Sequence, residues 1–305
     1  MRTVTVVVSS FNGEKYIKEQ IDSILSQKHC KISLIVRDDG SSDDTIAILH
    51  QYEKKGQLKL VQGENLKPAK SFLEALKHSG ETDYYAFSDQ DDIWLDDKLN
   101  VAISALEKMD KKTPNLYCSN LTTINNDYEV INDKLLPEKI VSDYRELLIR
   151  SPHIFGCTCV FNSILRNFIV KRELPQRLIM HDLWVALIAA SLGNIYYDPS
   201  SHIKYRQHGD NHTGAIVSER QKMKGRMDII KGKTPFLISP QAEEFIQYVG
   251  TEELKSVGLL EYTTIVANYR KNIVSKLKYL RTIKHDSMDI RQYLFHVLMI
   301  LLNRL

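Results

Sequence analysis

Three carboxylates occur within four positions in residues 87–94, which read FSDQDDIW. They belong to Asp89, Asp91 and Asp92, and they follow a short apolar segment, YYAF, that predicts a buried strand. Neighbouring carboxylates repel one another, so a cation among them lowers the free energy of holding them together. A hard divalent cation such as Mg²⁺, which takes oxygen ligands and is commonly shared with substrate phosphates, fits this pattern. The alternative interpretation is a solvated acidic turn or a helix N-terminus with its acidic side chains at the favourable end of the dipole.

A second acidic segment, residues 38–45, reads DDGSSDDT and follows another predicted strand. A carboxylate at a strand end can accept hydrogen bonds from a pyrimidine N–H or a sugar hydroxyl. Gly40 permits a sharp turn and a close approach of the backbone to a ligand. The alternative, a capped helix start, explains residues 41–45 well and the pair Asp38 and Asp39 poorly. The segment is neither a P-loop nor a dinucleotide fingerprint, because the Gly-rich patterns of both are absent.

The elements that would position these side chains alternate between strand and helix over the first ninety residues. Residues 3–9, 32–36, 58–61 and 84–88 predict strands, and residues 14–27, 45–52 and 71–78 predict helices. This alternation is typical of a doubly wound, mostly parallel sheet flanked by helices. Ligands bind beyond the carboxyl ends of the strands in such sheets, and all three polar motifs lie at those ends. We therefore expect the motifs to meet in one crevice.

The alternation continues less regularly after residue 98. Residues 99–109 and 181–190 predict helices, and residues 116–119, 155–161, 195–198 and 203–208 predict strands. The alternation stops near residue 214, and the pattern is helical from residue 218. We therefore expect an α/β catalytic domain at residues 1–214 and a helical C-terminal extension at residues 215–305.

The composition narrows the class of protein. The net charge of +3 over 305 residues is too small to indicate a nucleic-acid partner. The four cysteines lack the paired Cys-x-x-Cys spacing of a zinc site, and we expect reduced, mostly buried thiols in a cytoplasmic protein. No secretory signal is present, and no run reaches the roughly 18 apolar residues that span a bilayer. Any membrane contact is therefore expected to be peripheral.

The C-terminal part is basic and apolar. Residues 265–305 contain eight Lys or Arg and two Asp, together with many Leu and Ile. A basic pair of helices with an apolar last turn can lie on an anionic membrane surface, here the inner face of the cell membrane. The alternative is a helical bundle that packs on the catalytic domain or on another subunit.

Three strand ends carry a recognisable combination: SFNG at residues 10–13, DDGSSDDT at residues 38–45 and SDQDD at residues 88–92. In this order they resemble family 2 glycosyltransferases of the GT-A fold, over about residues 3–212. FSDQDDIW, the later HDLW at residues 181–184 and YRQHGDN at residues 205–211 are similar to rhamnosyltransferase-type members that build bacterial surface polysaccharides. The Gln-x-x-Arg-Trp pattern of processive synthases is absent, which favours addition of one sugar per acceptor.

The resemblance implies roles in nucleotide binding at the first two strand ends. Ser9 and Asn12 would lie beside the nucleotide, with the backbone near Phe11 against the base. Asp39 would contact the base, and Asp38 is a further candidate at the same place.

The resemblance also implies a metal site. Asp89 would lie near the ribose, and Asp91 would be the main protein ligand of Mg²⁺ or Mn²⁺. His208 would contact the metal or the diphosphate, with a structural hydrogen bond as the alternative. Arg206 is a candidate contact for a phosphate, with a surface salt bridge as the alternative.

Asp182 would be the general base that the poorly nucleophilic acceptor hydroxyl needs. Family members often have Glu-Asp where this chain has His181 and Asp182, so the role of His181 stays open. A divalent cation would stabilise the leaving diphosphate as a Lewis acid. One base and no protein nucleophile predict inversion at the anomeric carbon.

The leading hypothesis is an inverting, metal-dependent glycosyltransferase that moves L-rhamnose from dTDP-rhamnose onto a saccharide or polyprenyl-linked acceptor. A UDP-hexose donor is the first alternative. A nucleotidyltransferase is the second, although residues 9–13 lack the basic side chains that usually hold a triphosphate. A catalytically silent saccharide-binding protein is the third, and the presence of Asp91 and Asp182 argues against it.

Overall fold

The computed structural model describes residues 1–149, 153–208, 227–228, 238–283 and 290–303. These residues fall into two compact units. The first contains residues 1–147, 153–174 and 180–208, and the second contains residues 148–149, 175–179, 227–228, 238–283 and 290–303. The predicted boundary near residue 214 lies outside the described residues, so the division into a catalytic domain and an extension stays a prediction.

Nine strands in the described part of the chain form one mixed sheet. They are β1 (Arg2–Ser10), β2 (Cys30–Asp38), β3 (Lys59–Gln62), β4 (Tyr84–Ser88), β5 (Ile93–Trp94), β6 (Asn115–Ile124), β7 (Val130–Asn132), β8 (Val160–Asn162) and β9 (Asn194–Arg206). The helices up to residue 193 are α1 (Ile17–Leu25), α2 (Thr45–Lys54), α3 (Lys67–Lys77), α4 (Lys98–Leu106), α5 (Tyr144–Ile149), α6 (Ser163–Val170) and α7 (His181–Leu192). A 3₁₀ turn occupies Gly156–Thr158.

The first four βα units build the parallel half of the sheet. β1 lies between β2 and β4, and β3 extends the sheet beyond β2, all in parallel. Ser10 is opposite Asp38 and Val8 is opposite Ser88, so the carboxyl ends of the three strands lie side by side. The Val-rich sequence of β1 suits this central place, because both of its faces are covered. The polar strand ends therefore meet at one edge, as the motif spacing predicts.

The other half of the sheet contains antiparallel pairs, and here the observed strands differ from those that the sequence predicts. β8 pairs antiparallel with β4 and β6, whereas β9 pairs parallel with β6 and antiparallel with β5. Residues 155–161, predicted as one strand, divide into the 3₁₀ turn and β8, and the two strands predicted within residues 195–208 are the single β9. Short antiparallel strands carry no βα alternation, so hydrophobic periodicity alone does not reveal them.

Helices cover both faces of the sheet. Val4, Val6 and Val8 of β1 belong to a core cluster with Ile21 of α1 and Leu99 of α4. Elsewhere in the first unit α3 packs against α6 and α7, and the rings of Phe72 and Phe87 lie 5.4 Å apart. All four cysteines are buried, as the sequence predicts.

The second unit is helical where it is described, as the pattern after residue 218 predicts. Its helices are α8 (Ile238–Val249), α9 (Thr251–Ser256), α10 (Leu260–Asn268), α11 (Ile273–Thr282) and α12 (Ile290–Leu301). α8 packs against α10, where Ser239 Oγ donates to the Ala267 carbonyl at 2.7 Å. Among the helices that the structure describes, none is long and apolar enough to cross a membrane.

Candidate active site

A cavity of about 290 Å³ lies at the carboxyl ends of β1, β2 and β4. Six of the ten predicted site residues line it: Ser9, Phe11, Asp39, Asp89, Asp91 and Asp182. Asp182 reaches the cavity from the first turn of α7. The first unit therefore brings together residues that are far apart in the sequence, and the other four predicted residues lie around the cavity wall.

Asp39 belongs to a buried network in this wall. Its carboxylate pairs with the Arg37 guanidinium and accepts hydrogen bonds from Ser71 Oγ (2.8 Å) and the Leu66 N–H (3.0 Å). Ser9 Oγ in turn donates to Ser71 Oγ at 2.8 Å. A buried carboxylate needs such partners to stay charged. The network fixes Asp39 at the end of β2, with its carboxyl group at the cavity surface.

Asp38 lies behind the cavity wall. Its carboxylate, which is fully buried, accepts hydrogen bonds from Ser10 Oγ (2.9 Å), the Gly40 N–H (3.1 Å), and the N–H (2.8 Å) and Oγ (2.6 Å) of Ser41. Both oxygens are therefore occupied by the acidic loop. Asp38 shapes that loop, and the nucleotide contact predicted for it stays a prediction.

Asn12 does not line the cavity either. Its Oδ1 accepts from the Ser42 N–H at 2.9 Å, and its own N–H donates to Ser41 Oγ at 2.8 Å. Its φ of 50° is left-handed, a conformation that Asn tolerates better than most residues. Asn12 therefore ties the turn after β1 to the acidic loop after β2.

The acidic motif after β4 forms the next part of the wall. Burial, followed by the charges of Asp91 and Asp182, raises the pKa of Asp89 to about 7. Burial and the charges of Asp91 and Asp89 raise the pKa of Asp92 well above its usual range. Asp92 Oδ1 accepts from the Arg206 N–H at 3.2 Å, whereas its buried Oδ2 has no hydrogen-bond partner among the described residues. A cation would stabilise carboxylates crowded in this way.

His208 and Arg206, at the end of β9, hold the Asp91 segment. His208 Nε2 lies 2.9 Å from Asp91 Oδ2, and its ring stacks on Tyr16 with the centroids 4.6 Å apart. Arg206 Nε donates to the Asp91 carbonyl at 3.1 Å, and its Nη2 pairs with Glu19 at 2.6 Å. Arg206 is only 2% exposed and forms its salt bridge with the partly exposed Glu19, and the predicted phosphate contact stays a prediction.

Two backbone groups orient the carboxylate of Asp182. The Gly156 N–H donates to Oδ2 at 3.0 Å, and the Leu183 N–H donates to Oδ1 at 2.7 Å. Burial raises the pKa of Asp182 to about 6, although these hydrogen bonds lower it. A carboxylate with this pKa is charged at neutral pH and is basic enough to take a proton from a hydroxyl that is losing it in a transition state.

His181 supports the same corner of the cavity. Its ring stacks on Phe72 with the centroids 4.0 Å apart and meets Phe87 edge-on at 5.0 Å. A Cβ added at Gly156 would collide with the ring, so Gly156 allows the close packing. Within the described part of the chain neither ring nitrogen has a hydrogen-bond partner, and burial lowers the pKa of His181 to about 3. The imidazole is therefore neutral and packs as a flat ring under the backbone that orients Asp182.

The profile of one protein family, described as glycosyl transferase family 2, matches residues 5–172, more than half of the chain. The chain belongs to glycosyl transferase family 2. It is therefore a glycosyltransferase with the GT-A fold, and the nucleotidyltransferase alternative is set aside.

Similar proteins agree with this assignment. The dTDP-rhamnosyl transferase RfbG of Shigella flexneri is 30% identical over 242 residues, which cover 74% of this chain and 80% of the relative. Staphylococcus aureus TarS 1–349 superposes with a TM-score of 0.55 at 18% identity, over 98% of this chain and 79% of that chain. The mannosyltransferase PcManGT from Pyrobaculum calidifontis, solved with GDP-Man and Mn²⁺, has a TM-score of 0.51 at 16% identity and covers 98% and 84%. At these identities the two structures show the shared fold.

Sequence patterns missed several residues that shape the glycosyltransferase cavity. Gln90 Oε1 accepts from the Phe11 N–H at 2.9 Å, and its Nε2 donates to the Phe11 carbonyl at 3.1 Å. The position of Gln90 inside the acidic motif could have identified it as a site residue. Phe72 and Tyr205 also line the cavity, but an aromatic residue in a helix or strand usually indicates core packing.

The acidic wall fits a hard divalent cation. Donor atoms of Asp89, Asp92 and Cys157 lie within 4.8 Å of one another. Burial raises the pKa of Cys157 well above its usual range, so it stays a thiol, and sulfur suits softer metals than Mg²⁺ or Mn²⁺. The carboxylates have the oxygen donors that these ions prefer, and the partnerless Asp92 Oδ2 is an atom that a cation would satisfy.

Proposed function

We propose that this glycosyltransferase moves one L-rhamnose, with inversion, from dTDP-L-rhamnose onto a saccharide or polyprenyl-linked acceptor in bacterial surface polysaccharide synthesis. The rhamnosyl donor is supported by the Shigella flexneri relative. The observation that carries the reaction is the single cavity that joins the carboxylates of Asp89 and Asp91 to that of Asp182. The free, buried cysteines support a cytoplasmic location.

The nucleotide binds at the ends of β1 and β2. The Phe11 ring is 46% exposed at the cavity, and Gln90 holds the Phe11 backbone for contact with the base. The Asp39 carboxylate is fixed by Arg37 and Ser71 and faces the cavity, where it accepts a hydrogen bond from a base N–H. Asp38 and Asn12 act indirectly, because they set the two loops that carry these contacts.

The diphosphate binds at the end of β4 with Mg²⁺ or Mn²⁺. Asp89 and Asp91 present carboxylates to the cavity, and Asp92 adds a buried oxygen behind them. Arg206 and His208 hold Asp91 in place. When bound, the cation acts as a Lewis acid toward the diphosphate oxygens and stabilises the leaving group.

Asp182 is the general base. Its carboxylate is held by two backbone N–H groups, so its position is set before substrate binds. It accepts the proton of the acceptor hydroxyl while that oxygen attacks the anomeric carbon and the bond to the diphosphate breaks. Attack from the face opposite the leaving group, with no covalent enzyme intermediate, inverts the anomeric configuration.

A UDP-hexose is the alternative donor. It is favoured by TarS 1–349, which has been solved with UDP-GlcNAc and superposes with a TM-score of 0.52. TarS is only 18% identical, whereas the Shigella flexneri relative is 30% identical. The relative is therefore the stronger support for the donor sugar.

The test of the donor is thermal stabilisation of the full chain by nucleotide sugars with and without Mn²⁺. A ligand at about 100 times its dissociation constant adds about 2.7 kcal/mol to the free energy of unfolding, so the correct donor raises the melting temperature most. We expect dTDP-L-rhamnose with Mn²⁺ to do so, and Asp91→Asn to remove the Mn²⁺-dependent part. Asp44→Asn, an exposed acid of the other motif, is the matched control. A larger effect of UDP-hexoses would replace the rhamnose assignment.

The base is tested by Asp182→Asn. Asn keeps the size of the side chain but cannot take the proton, so we expect transfer to fall at least about 100-fold. The affinity for the nucleotide sugar, measured by calorimetry, should stay within about threefold, since the carboxylate acts only on the acceptor. A near-normal transfer rate would remove Asp182 from this role.

A further inference from the structure

Two helices of the second unit present rows of exposed aliphatic side chains. On α11 the row consists of Ile273, Val274 and Leu277, and on α12 it consists of Ile290, Leu294, Leu298 and Leu301. Their spacing of mostly three or four residues puts each row on one face of its helix. These seven side chains are between 41% and 61% exposed. We call the two rows together the α11–α12 face.

The opposite sides of these helices already form the packed core between them. Tyr279 Oη lies 3.1 Å from His296 Nε2, and Lys276 Nζ donates to the Leu301 carbonyl at 3.0 Å. Since residue 276 meets residue 301 while residue 279 meets residue 296, the helices run antiparallel. Met299 and Ile300 are fully buried on this inner side. Among the described residues, the packing of the second unit therefore does not use the α11–α12 face.

Basic side chains lie on and beside this face. Arg281 follows Leu277 by four residues and so lies on the same side of α11, and Lys278 follows Val274 in the same way. Both are exposed, as is Lys271 just before the helix. Residues 262–305 contain eight Lys or Arg and two Asp. Long basic side chains can extend their charges to the headgroup region while their stems cover apolar surface.

A groove of about 700 Å³ extends this charge beside α11. Lys255, Lys278 and Arg281 line it with a single acidic residue, Glu261. An excess of cations in a groove next to exposed aliphatic residues suits a phosphate attached to an acyl chain.

A second copy of the chain is a poorer match for the α11–α12 face. In a two-fold dimer the same surface meets itself, so the basic residues of the two copies would face one another. An anionic lipid surface has the opposite charge and also offers an apolar layer for the aliphatic rows.

We propose that the α11–α12 face binds the surface of membranes that contain anionic phospholipids. Binding concerns the second unit alone and does not depend on which sugar is transferred. It deepens the proposed function in one respect, since a polyprenyl-linked acceptor is itself held in the membrane.

The test is flotation of the full chain with vesicles of phosphatidylcholine alone or with about 30% phosphatidylglycerol. We expect roughly tenfold more chain to float with the anionic vesicles, and about 0.5 M salt to release it, because each basic residue contributes a screened attraction. Similar flotation with both kinds of vesicle would overturn the proposal.

Variants of the two rows locate the surface. Leu277→Gln, Leu294→Gln and Leu298→Gln together should reduce flotation about tenfold, since three exposed side chains no longer enter the apolar layer. The matched control changes three exposed aliphatic residues of the first unit to Gln: Val130, Ile131 and Ile164. For the charges, Lys278→Gln with Arg281→Gln should weaken binding, whereas Lys111→Gln with Lys112→Gln should not.

Two results would contradict this assignment. Undiminished flotation of the triple Leu variant would show that another surface binds. A dimer in gel filtration that the triple variant abolishes, with no vesicle binding by either protein, would assign the face to a second copy. Transfer to an acceptor in solution is measured in parallel and should be unchanged in the triple variant. A failure of the membrane proposal therefore does not affect the donor and base assignments, which have their own tests.

Discussion

Opposing effects act on the carboxyl group of Asp182. Burial disfavours its charged form, whereas the Gly156 and Leu183 N–H groups favour it, and the pKa settles at about 6. At neutral pH the side chain is therefore ionised, and it is still basic enough to accept a proton. Such tuning of a carboxylate by its surroundings is how one residue type serves different roles in proton transfer.

We expect the transfer rate to decline on the acidic side of about pH 6. Because the pKa of Asp182 is raised, the carboxyl group is protonated below this pH and cannot accept a proton. With saturating donor, acceptor and Mn²⁺, the rate should fall about tenfold for each pH unit below the pKa. The measurement is kcat as a function of pH, and a constant kcat down to about pH 5 would contradict it.

Gly156→Ala should lower kcat. The added Cβ collides with the His181 ring, which is packed against Phe72, so the backbone N–H that orients Asp182 must move. A displacement of about 1 Å near the reacting atoms can lower the rate about 100-fold. Loss of this hydrogen bond also raises the pKa of Asp182, so the acidic limb of the pH profile should move to higher pH.

The control for this substitution is Gly80→Ala, because an added Cβ at Gly80 meets no atom within 4 Å. Its kcat and pH profile should match those of the native chain. Nucleotide affinity should be the same in both variants, as neither glycine touches the ends of β1 and β2. Normal kcat and an unchanged pH profile in Gly156→Ala would show that the contact is only structural.

At the scale of elements, the loops after β1 and β2 depend on each other. Asn12 donates its N–H to Ser41 Oγ and accepts from the Ser42 N–H, and Asp38 accepts hydrogen bonds within the second loop. Gln90 adds a third connection, from the β4 loop to Phe11. Most polar side chains of the cavity wall thus bind neighbouring backbone. Only a few side chains remain to contact a ligand.

Asp38→Ala should therefore destabilise the fold. The substitution leaves the donors of Ser10, Gly40 and Ser41 without their acceptor in a buried place. Each buried unsatisfied group costs about 1–3 kcal/mol, and partial rearrangement leaves an expected loss of about 2–4 kcal/mol in the free energy of unfolding. Urea unfolding measures this loss. Asp44→Ala, at an exposed acid of the same loop, should stay within about 0.5 kcal/mol of the native chain.

The sequence was informative wherever a strand end carried a motif. Hydrophobic runs located β1, β2 and β4, and the topology rule for such sheets then placed their polar ends together. The pattern did not distinguish Asp38 from Asp39, since adjacent residues on a strand end point to opposite faces and only the packed structure decides which face is the cavity. The role of His181 was equally hidden, because it depends on contacts with Phe72 and Gly156 that come from other elements.

At the scale of the whole molecule, the two units differ in how much of their structure could be predicted from the sequence. The parallel half of the first unit could be anticipated, because βα alternation and polar motifs at the strand ends restrict its topology. In the half with antiparallel pairs the sequence predicted parts of β6, β8 and β9. It did not predict β5 and β7, which are two and three residues long and carry little periodicity. In the second unit, composition predicted helices and basic charge, whereas the packing that leaves one face exposed became evident only from the coordinates.

The ion pair between Arg206 and Glu19 spans almost two thirds of the chain, and the same guanidinium fixes the Asp91 carbonyl. A nascent polypeptide that has not yet released residue 206 from the ribosome lacks this support. The acidic segment at residues 89–92 of an incomplete chain is therefore held on one side only. The support of the Asp91 segment is thus completed only after the ninth strand has been synthesised.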